Sequence, residues 1–305
     1  MFRFSIPSRA SVWAFFSSIP ACIGFLFSRP TPPTEKPDEE FLSLDLAEND
    51  YLYRVRRGSR IVYISILDGS IIPDEYKTGF CLLKTLRRLP EWDEEWKTLT
   101  VRRIAPAMAI ESTRDEFLPH GLNLENLNMP SATPFFSFLD LPRISRISDR
   151  LFRVMCDGEI CILKIAKFKH ELSYLHQEIS VYLKLSDFAQ APKFVGVVYE
   201  ETKNRTIGFL IEAISGRHPD INDFEACKKT VGLLHTHGII HGDLNRYNFL
   251  INTHAQVFDL ENSVLKEDAD PAAAEEEMQS LEVMLQDESD IGGRWERHVG
   301  TDVLN

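Results

Sequence analysis

Residues 239–261 read IIHGDLNRYNFLINTHAQVFDLE and set polar side chains among strand-forming apolar ones. The polar positions are His241, Asp243, Asn245, Asn248 and Asp259. The segments NFLI and AQVFD predict two paired strands with a turn at residues 252–254. Folding them back places Asn248 beside Asp259. A carboxylate next to an amide oxygen suits Mg²⁺, and oxygen atoms of water and phosphate complete the coordination shell of the ion. Asp243 lies on the approaching loop, where it is placed to take a proton from a hydroxyl group aligned with a γ-phosphate.

The segments before this motif predict a small sheet with a helix on it. Strand-like runs occupy residues 151–156, 159–166, 193–201 and 206–214. The first two flank Asp157-Gly158, a dipeptide typical of tight hairpin turns. Residues 171–185 carry apolar side chains at helical spacing, and a second amphipathic helix is expected from Asn222, as its N-cap, to Gly238.

Several motifs in this half resemble those of the protein kinase-like superfamily. HGDLNRYN is similar to the catalytic-loop pattern H-R-D-L-x-x-x-N, and Asp259-Leu260-Glu261 stands where D-F-G belongs. ILK, ending at Lys164, resembles the strand V-A-I-K, and Glu178 falls in the next helix. The resemblance covers residues 136–305 and is nearest to the compact atypical branch of aminoglycoside phosphotransferases and RIO-type kinases. It implies an α+β, bilobal protein kinase-like fold with a shortened C-terminal lobe, plus an additional N-terminal α/β region.

The resemblance also implies cofactors, ATP and Mg²⁺, and a role for each motif residue. Lys164 would hold the α- and β-phosphates of ATP, with Glu178 as its ion-pair partner. Asp243 would be the catalytic base or orient the acceptor hydroxyl, while Asn248 and Asp259 would bind the metal. The implied activity is transfer of the γ-phosphoryl group to a hydroxyl acceptor, such as a protein serine or threonine or a small molecule.

The adenine and phosphate contacts are expected from two further segments. Residues 209–214 would form the hinge, with Glu212, Ala213 and Ile214 meeting the adenine edge through their backbone. No G-x-G-x-x-G precedes Lys164, and the sequence RISRISDR stands in its place. Side chains of this loop are expected to replace the missing backbone contacts to phosphate. The candidates are Ser145, Ser148, Arg146 and Arg150.

Other departures from the family pattern bear on regulation and substrate. Gly242 replaces the arginine of H-R-D, so a phosphate-reading activation loop is not expected. Glu261 replaces the glycine of D-F-G. After Asp259 we expect one more helix, capped by Asp270, and no platform of several helices for docking a peptide.

The N-terminal half carries no chemistry that the sequence identifies. We divide the chain into an apolar segment with a Pro-rich linker (1–40), an accessory α/β region (41–135) and the kinase-like domain (136–305). The uncharged run 10–28 is either a disordered tail or a targeting or membrane-anchoring segment.

Within the accessory region, residues 51–57 and 60–67 predict a strand pair around Gly58-Ser59. Residues 79–89 and the pair Trp92 and Trp96 look helical. A basic cluster is expected on a solvated strand edge. Its members are Arg54, Arg56, Arg57 and Arg60.

Composition narrows the choice of partners. The 305 residues carry a formal net charge of −12, with a pI near 5.3, which argues against binding of bulk nucleic acid. Five cysteines without C-x-x-C spacing indicate neither a disulfide framework nor a zinc knuckle. A reducing, cytoplasmic location is therefore expected.

Two alternatives to a kinase stay open at this point. A pseudokinase scaffold would keep the fold and bind a protein partner, and the missing glycine loop motivates it. A zinc hydrolase would use His235, His237 and His241, but helical residues two apart point in different directions. We therefore expect His241 to be a buried, hydrogen-bonded residue of the loop.

Overall fold

The computed structural model describes residues 38–48, 50–79 and 81–287. A first sheet of five strands is built from the N-terminal half. Its strands are β1 (Glu39–Leu46), β2 (Tyr51–Arg57), β3 (Arg60–Ile66), β4 (Thr98–Ile104) and β5 (Ala109–Arg114). They lie in sequence order, and all neighbours are antiparallel except β3 and β4. The short helix α1 (Leu82–Leu86) lies in the connection between these two parallel strands.

A second sheet of six strands follows. Its strands are β6 (Phe135–Ser137), β7 (Arg143–Arg146), β8 (Leu151–Cys156), β9 (Glu159–Ile165), β10 (Phe194–Tyr199) and β11 (Thr206–Glu212). Their order across the sheet is β6-β10-β11-β9-β8-β7. Helix α2 (Leu172–Lys184) connects β9 to β10. The predicted hairpin is confirmed: Asp157 and Gly158 both have positive φ, as the tight turn requires.

Up to residue 287, the C-terminal part contains two α-helices and short strand pairs. Its elements are α3 (Phe224–Thr236), β12 (Ile239–Ile240), β13 (Phe249–Ile251), β14 (Ala255–Val257), β15 (Val264–Leu265) and α4 (Ala273–Gln286). β13 pairs with β14 as the sequence predicts, and β12 pairs with β15. The described chain is thus a mixed α+β fold with open sheets and few helices.

One apolar core extends from the second sheet to the C-terminal helices. It combines α2, β11, the β13–β14 hairpin and the buried stripes of α3 and α4. Leu122 and Leu127, from the connection between the two sheets, are also buried in it. A segment without a sequence signal therefore packs in the same core as α2, which carries Glu178.

A second core joins the two sheets. Ile61 and Tyr63 of β3 pack in one cluster with Cys161, Leu163 and Ile165 of β9. These β9 side chains alternate with Ile162, which contacts the core that contains α2. The first sheet thus covers one face of β9 and leaves the other face to the α2 side.

The helical reading of the tryptophan segment is wrong. Helix α1 ends at Leu86, and Trp92 and Trp96 lie in turns and an irregular segment. Pro90 lacks the N–H group that a helix needs, and Glu91 has a φ of 63°, which ends any helical path. The two indole rings pack edge to face with centroids 5.6 Å apart.

The interpretation of the arginine cluster as a solvated strand edge is wrong for Arg54 and Arg57, although Arg56 is exposed. β2 is an interior strand, between β1 and β3. Arg54 is 1% exposed and bonds to the buried Glu200, while Arg57 lies over the rings of Trp92 and Trp96. Tertiary partners on both sides of the strand, and not local sequence, bury these cations.

Three helix boundaries were also predicted. Gly238 ends α3 with a φ of 75°, as expected. Asn222 does not cap α3: it lies in a 3-10 turn (Ile221–Asp223) directly before the helix, and Asp220 caps that turn by accepting the N–H of Asn222 at 2.8 Å. Asp270 accepts the N–H of Ala272 at 2.9 Å just before α4, where the sequence predicts a cap.

The predicted apolar segment and linker at the N-terminus lie almost entirely outside the described residues. Among the residues that are described, no helix has the length and apolar character needed to cross a membrane. The division of the remaining chain at residue 135 stays a prediction.

Candidate functional site

The side chain of Lys164 lies at the centre of a group of carboxylates. Its Nζ atom is 2.6 Å from Glu178 Oε2, 2.6 Å from Asp259 Oδ1 and 3.0 Å from Glu261 Oε2. Lys164 belongs to β9, Glu178 to α2, and the other two acids to the turn that follows β14. Three segments that are distant in sequence therefore converge on one ammonium group, as predicted for Lys164 and Glu178.

Burial and charge act against each other at Glu178. This carboxylate is 2% exposed, and its Oε1 accepts the N–H of Leu260 at 3.3 Å. Burial raises the pKa of Glu178 to about 7; Lys164 opposes the rise, and the charges of Asp259 and Glu261 reinforce it. Glu178 therefore depends on the ammonium group to stay ionised.

The same charges stabilise the charged form of the lysine. Burial alone would lower the pKa of Lys164, but the attraction of Glu178, Asp259 and Glu261 outweighs it and raises the pKa. At Asp259, Lys164 overcomes the opposite effect of burial and holds the pKa below its ordinary value. The cluster is thus ionic, with more carboxylates than ammonium groups.

The three carboxylates of this cluster are also candidate ligands for a cation. Oxygen atoms of Glu178, Asp259 and Glu261 all lie within 4.8 Å of one another. In the described part of the chain this is the one such group of potential metal ligands, and it contains no histidine or cysteine. A set of oxygen donors alone is preferred by Mg²⁺ or Ca²⁺, whereas zinc sites usually include His or Cys, so this group does not support the zinc alternative.

The backbone at Asp259 directs its side chain toward this cluster. Its φ and ψ are 63° and 59°, a left-handed conformation that Asp tolerates better than most residues. The chain then turns into the short helical segment Leu260–Asn262. Because of this turn, the carboxylates of Asp259 and Glu261 both contact the ammonium group of Lys164.

The loop before Asp243 depends on a glycine and a buried histidine. Gly242 has a φ of 78°, and a Cβ atom there would lie 2.3 Å from the carbonyl oxygen of Asn262. His241 is fully buried: its Nε2 is 3.0 Å from the carbonyl oxygen of Phe258, and its Nδ1 accepts the N–H of Asp243. Burial lowers the pKa of His241, so a neutral ring with Nε2–H donating fits both bonds. The predicted structural role of His241 is confirmed.

Asn248 is buried and anchors the same loop. Its Nδ2 donates to the carbonyl oxygen of Asp243 at 2.8 Å, and its own carbonyl oxygen accepts the N–H of Phe258. The first bond uses only the amide nitrogen, so the side-chain oxygen of Asn248 is left for other ligands. The second bond ties the backbone of Asn248 to Phe258, the residue before Asp259. The side chain of Asp243 is exposed, and its carboxylate has no bonded partner among the described residues. Asn245 accepts the N–H of Tyr247 and caps the short helical turn that follows.

Glu277 is a site residue that the sequence did not reveal. It lies on α4, is 7% exposed, and accepts the N–H groups of Gly242 at 2.8 Å and His241 at 3.2 Å. It also contacts His235 Nε2 at 2.6 Å. Glu277 therefore fixes the backbone directly before Asp243. The one sequence signal for Glu277 is its position four residues before Leu281, which puts an acid on the apolar side of the predicted helix.

Glu277 gives a pH-dependent prediction. Burial alone raises its pKa, but hydrogen bonds from His235, Gly242 and His241 outweigh this and hold the pKa below the ordinary 4.5. The ionised Glu277 therefore stabilises the folded state above pH 4.5. This stabilisation is lost as the pH falls from 4.5 through the lower pKa that Glu277 has in the folded chain. We expect Glu277→Gln to cost about 2 kcal/mol at neutral pH and progressively less below pH 4.5.

Urea unfolding at a series of pH values measures this difference. Glu276→Gln, an exposed position on the same helix, is the matched control and should track the wild-type chain. A difference between Glu277→Gln and wild type that stays constant down to pH 3.5 would contradict the role of its charge.

Of the four candidates in the loop that replaces a glycine-rich turn, Arg150 reaches the carboxylate cluster, whereas the two serines do not. Ser145 is exposed on β7, and Ser148 Oγ is used within its own turn, where it accepts the N–H of Arg150. Arg150 itself reaches the cluster, with Nη1 3.2 Å from Glu261 Oε2. The phosphate role predicted for the serines has no support in their contacts.

The predicted hinge leaves β11 and joins the two parts of the site. The exposed Glu212 ends β11 and donates its N–H to the carbonyl oxygen of Lys193, and Ala213 and Ile214, which follow outside the strand, are half-buried. Residues 216 and 217 then pack on Ile251 of β13. The segment thus follows β11 and precedes a contact with the β13–β14 hairpin, and its role as a hinge stays a prediction.

Two other features lie apart from the cluster. The histidines of α3 do not converge: His235 bonds to Glu277, while His237 Nδ1 is 2.8 Å from the carbonyl oxygen of Leu233. A cavity of about 460 Å³ is lined by residues near the ends of α2 and α3, including Lys184 and Lys266. No residue of the carboxylate cluster lines it.

Comparison of the sequence with protein-family models and with curated proteins gave no match. Any function must therefore be inferred from the convergence of Lys164, Glu178 and Asp259 and from the loop that carries Asp243.

Proposed function

We propose that this chain is an ATP- and Mg²⁺-dependent phosphotransferase of the protein kinase-like type, which transfers the γ-phosphoryl group to a hydroxyl acceptor. The observation that carries the proposal is the position of Lys164 Nζ, 2.6 Å from both Glu178 and Asp259. A lysine in an apolar strand that meets one acid from the next helix and one from beyond the catalytic loop is the arrangement that the sequence resemblance implies.

The architecture supports a bilobal reading. The second sheet and α2 would form the first lobe, and α3, the strand pairs β12–β15 and α4 a smaller second lobe. The hinge at residues 212–214 connects them. Lys164 and Glu178 belong to the first lobe, while Asp243, Asn248 and Asp259 belong to the second, so the candidate site lies where the two lobes meet.

The side chains present fit the two cofactors. The amide oxygen of Asn248 and the carboxylate of Asp259 would hold Mg²⁺, since both are hard oxygen donors held by the β13–β14 hairpin and the turn that follows it. When bound, the ion would supply positive charge against the charge that develops on the transferred group. Lys164 would hold the α- and β-phosphates while Glu178 keeps its side chain extended.

Asp243 would act on the acceptor. Its carboxylate is exposed and has no bonded partner within the described ranges, while its backbone is held by His241 and Asn248. A carboxylate on a rigid backbone can orient a hydroxyl group and take its proton. Most of the catalysis would then come from positioning and electrostatics.

The acceptor is a hydroxyl group on a compact molecule or on a protein brought by a partner. In the described residues beyond Asp259, α4 is the one α-helix. The described surface after Asp259 therefore carries one helix, and a small-molecule acceptor and a protein acceptor are both part of the proposal.

A second candidate function is a pseudokinase scaffold that binds a protein partner. The three carboxylates around Lys164 already engage its ammonium group, and no glycine-rich loop is present. A nucleotide would have to compete with at least one of these acids. If no nucleotide displaces these acids from Lys164, the fold would serve only as a binding surface for a protein.

Thermal unfolding with ATP, with and without Mg²⁺, separates the two functions. We expect ATP with Mg²⁺ at about 100 times its Kd to stabilise the chain by about 2.7 kcal/mol, and less without the metal. The Asp259→Asn variant is expected to lose the metal-dependent part, while Asp268→Asn, an exposed control, keeps it. The absence of any shift at millimolar ATP and Mg²⁺ would count against catalysis and favour the scaffold.

A further inference from the structure

Arg150 connects the loop between β7 and β8 to the carboxylate cluster. Its Nε donates to the carbonyl oxygen of Ile165 at 3.1 Å, and its Nη1 lies 3.2 Å from Glu261 Oε2. A weaker contact of 3.7 Å joins Nε to Glu171. Its side chain is 20% exposed, so it is packed inward and does not extend into solvent as a surface arginine does.

Arg150 and Lys164 flank the same oxygen atom. Glu261 Oε2 is 3.2 Å from the guanidinium of Arg150 and 3.0 Å from the ammonium of Lys164. Two cations that approach one oxygen from two segments form a ready-made anion site. A carboxylate of the chain itself now fills it.

The arginine has unused donor capacity at this point. Its Nη2 atom is buried and has no hydrogen-bond partner among the described residues. A buried donor without an acceptor is costly, and a phosphate offers more acceptor oxygens than one carboxylate does. This orphan donor indicates that Glu261 satisfies Arg150 only in part.

We propose that Arg150 and Lys164 form a phosphate subsite, and that Glu261 occupies it until a phosphate group of the nucleotide displaces it. The subsite deepens the proposed function and rests on it. Arg150 would supply by its side chain the contact that backbone N–H groups of a glycine-rich loop supply elsewhere. Guanidinium suits this task because it binds phosphate oxygens in a bidentate manner.

The proposal predicts opposite effects for the two partners. Loss of Arg150 removes an attractive contact to phosphate and weakens binding. Loss of the charge of Glu261 removes a competing anion and tightens binding, provided that no metal is present to need that carboxylate. If the ion pair were merely structural, the two variants would both bind the nucleotide more weakly, or both would bind it as the wild-type chain does.

The test is the Kd of ADP and of adenosine, measured by titration calorimetry of the full chain in EDTA at fixed salt. We expect Arg150→Ala to weaken ADP roughly tenfold or more, Arg150→Lys to weaken it less, and Glu261→Gln to tighten it several-fold. Adenosine, which has no phosphate, should bind all variants equally and also reports that each one is folded.

Two exposed positions serve as charge-matched controls. Arg153→Ala on β8 and Glu282→Gln on α4 change the net charge by the same amounts, and both side chains are exposed. They are expected to leave the Kd of ADP unchanged, which separates the local contact from the general field of the protein.

The outcomes distinguish the subsite from the function on which it rests. If ADP and adenosine fail to bind the wild-type chain, both the nucleotide function and the subsite are overturned. If ADP binds the wild-type chain but Arg150→Ala and Arg150→Lys bind it equally well, the subsite alone is overturned. Weaker binding by Glu261→Gln in EDTA would also overturn it, because Glu261 would then not compete with phosphate.

Discussion

We expect the Asp243→Asn variant to transfer the γ-phosphoryl group of ATP to water roughly 100- to 10,000-fold more slowly than the wild-type chain. The amide keeps the size of the side chain but cannot accept a proton. Hydrolysis is the useful readout because it needs no knowledge of the natural acceptor. Phosphate release under saturating ATP and Mg²⁺ measures it.

Nucleotide binding should be almost unchanged in this variant. The Asp243 carboxylate is exposed and bonds to no side chain in the described segments, whereas Lys164 and Asp259 are the groups assigned to the phosphates and the metal. Asp187→Asn, an exposed aspartate after α2, is the matched control and should hydrolyse ATP at the wild-type rate. Equal hydrolysis by the Asp243→Asn and wild-type chains would remove Asp243 from the catalytic role.

A loss of about 3 to 5 kcal/mol in the free energy of unfolding is expected for Glu200→Ala. Glu200 is fully buried and bonds to Arg54, to Tyr63 Oη at 2.9 Å and to Arg205 at 2.8 Å. Without it two guanidinium groups, one of them fully buried, lose their only carboxylate partner in this network. Urea unfolding at neutral pH measures the change.

The control for this prediction is Glu282→Ala, which removes an exposed acid from α4. Its stability is expected to stay within about 0.5 kcal/mol of wild type. If Glu200→Ala unfolds at the wild-type urea concentration, the buried network does not hold the two sheets together. A broad, two-step transition would instead show that the first sheet unfolds separately.

The Glu200 network affects the site through β9. The first sheet packs on Leu163 and Ile165, the neighbours of Lys164 on that strand. Because side chains alternate along a strand, fixing Leu163 and Ile165 on one face also fixes Lys164 on the other. Separation of the sheets in the Glu200→Ala variant is therefore expected to weaken nucleotide binding as well as stability.

Local sequence was sufficient for the elements that carry the motif. The Asp157-Gly158 turn, the stripes of α2 and α3, and the β13–β14 hairpin follow from propensity and periodicity over a few residues. The order of Lys164, Glu178, Asp243, Asn248 and Asp259 along the chain also indicated which side chains to bring together, and the structure does place Lys164, Glu178 and Asp259 within one cluster.

Only the tertiary structure decided which additional groups complete the site. Glu277 comes from the last helix, and nothing in its local sequence distinguishes it from a surface charge. Arg150 and Glu261 stood out only as departures from the family pattern, and their contact with each other depends on the fold. Arg54 was misread for the same reason, since an arginine on a strand is exposed or buried according to what packs on that strand. Local sequence determines backbone conformation, because its energetics are local. The partner of a buried charge is determined by contacts between residues far apart in the chain. For such a pair the cost of desolvation and the gain from pairing nearly cancel, so the outcome depends on the geometry of the packing.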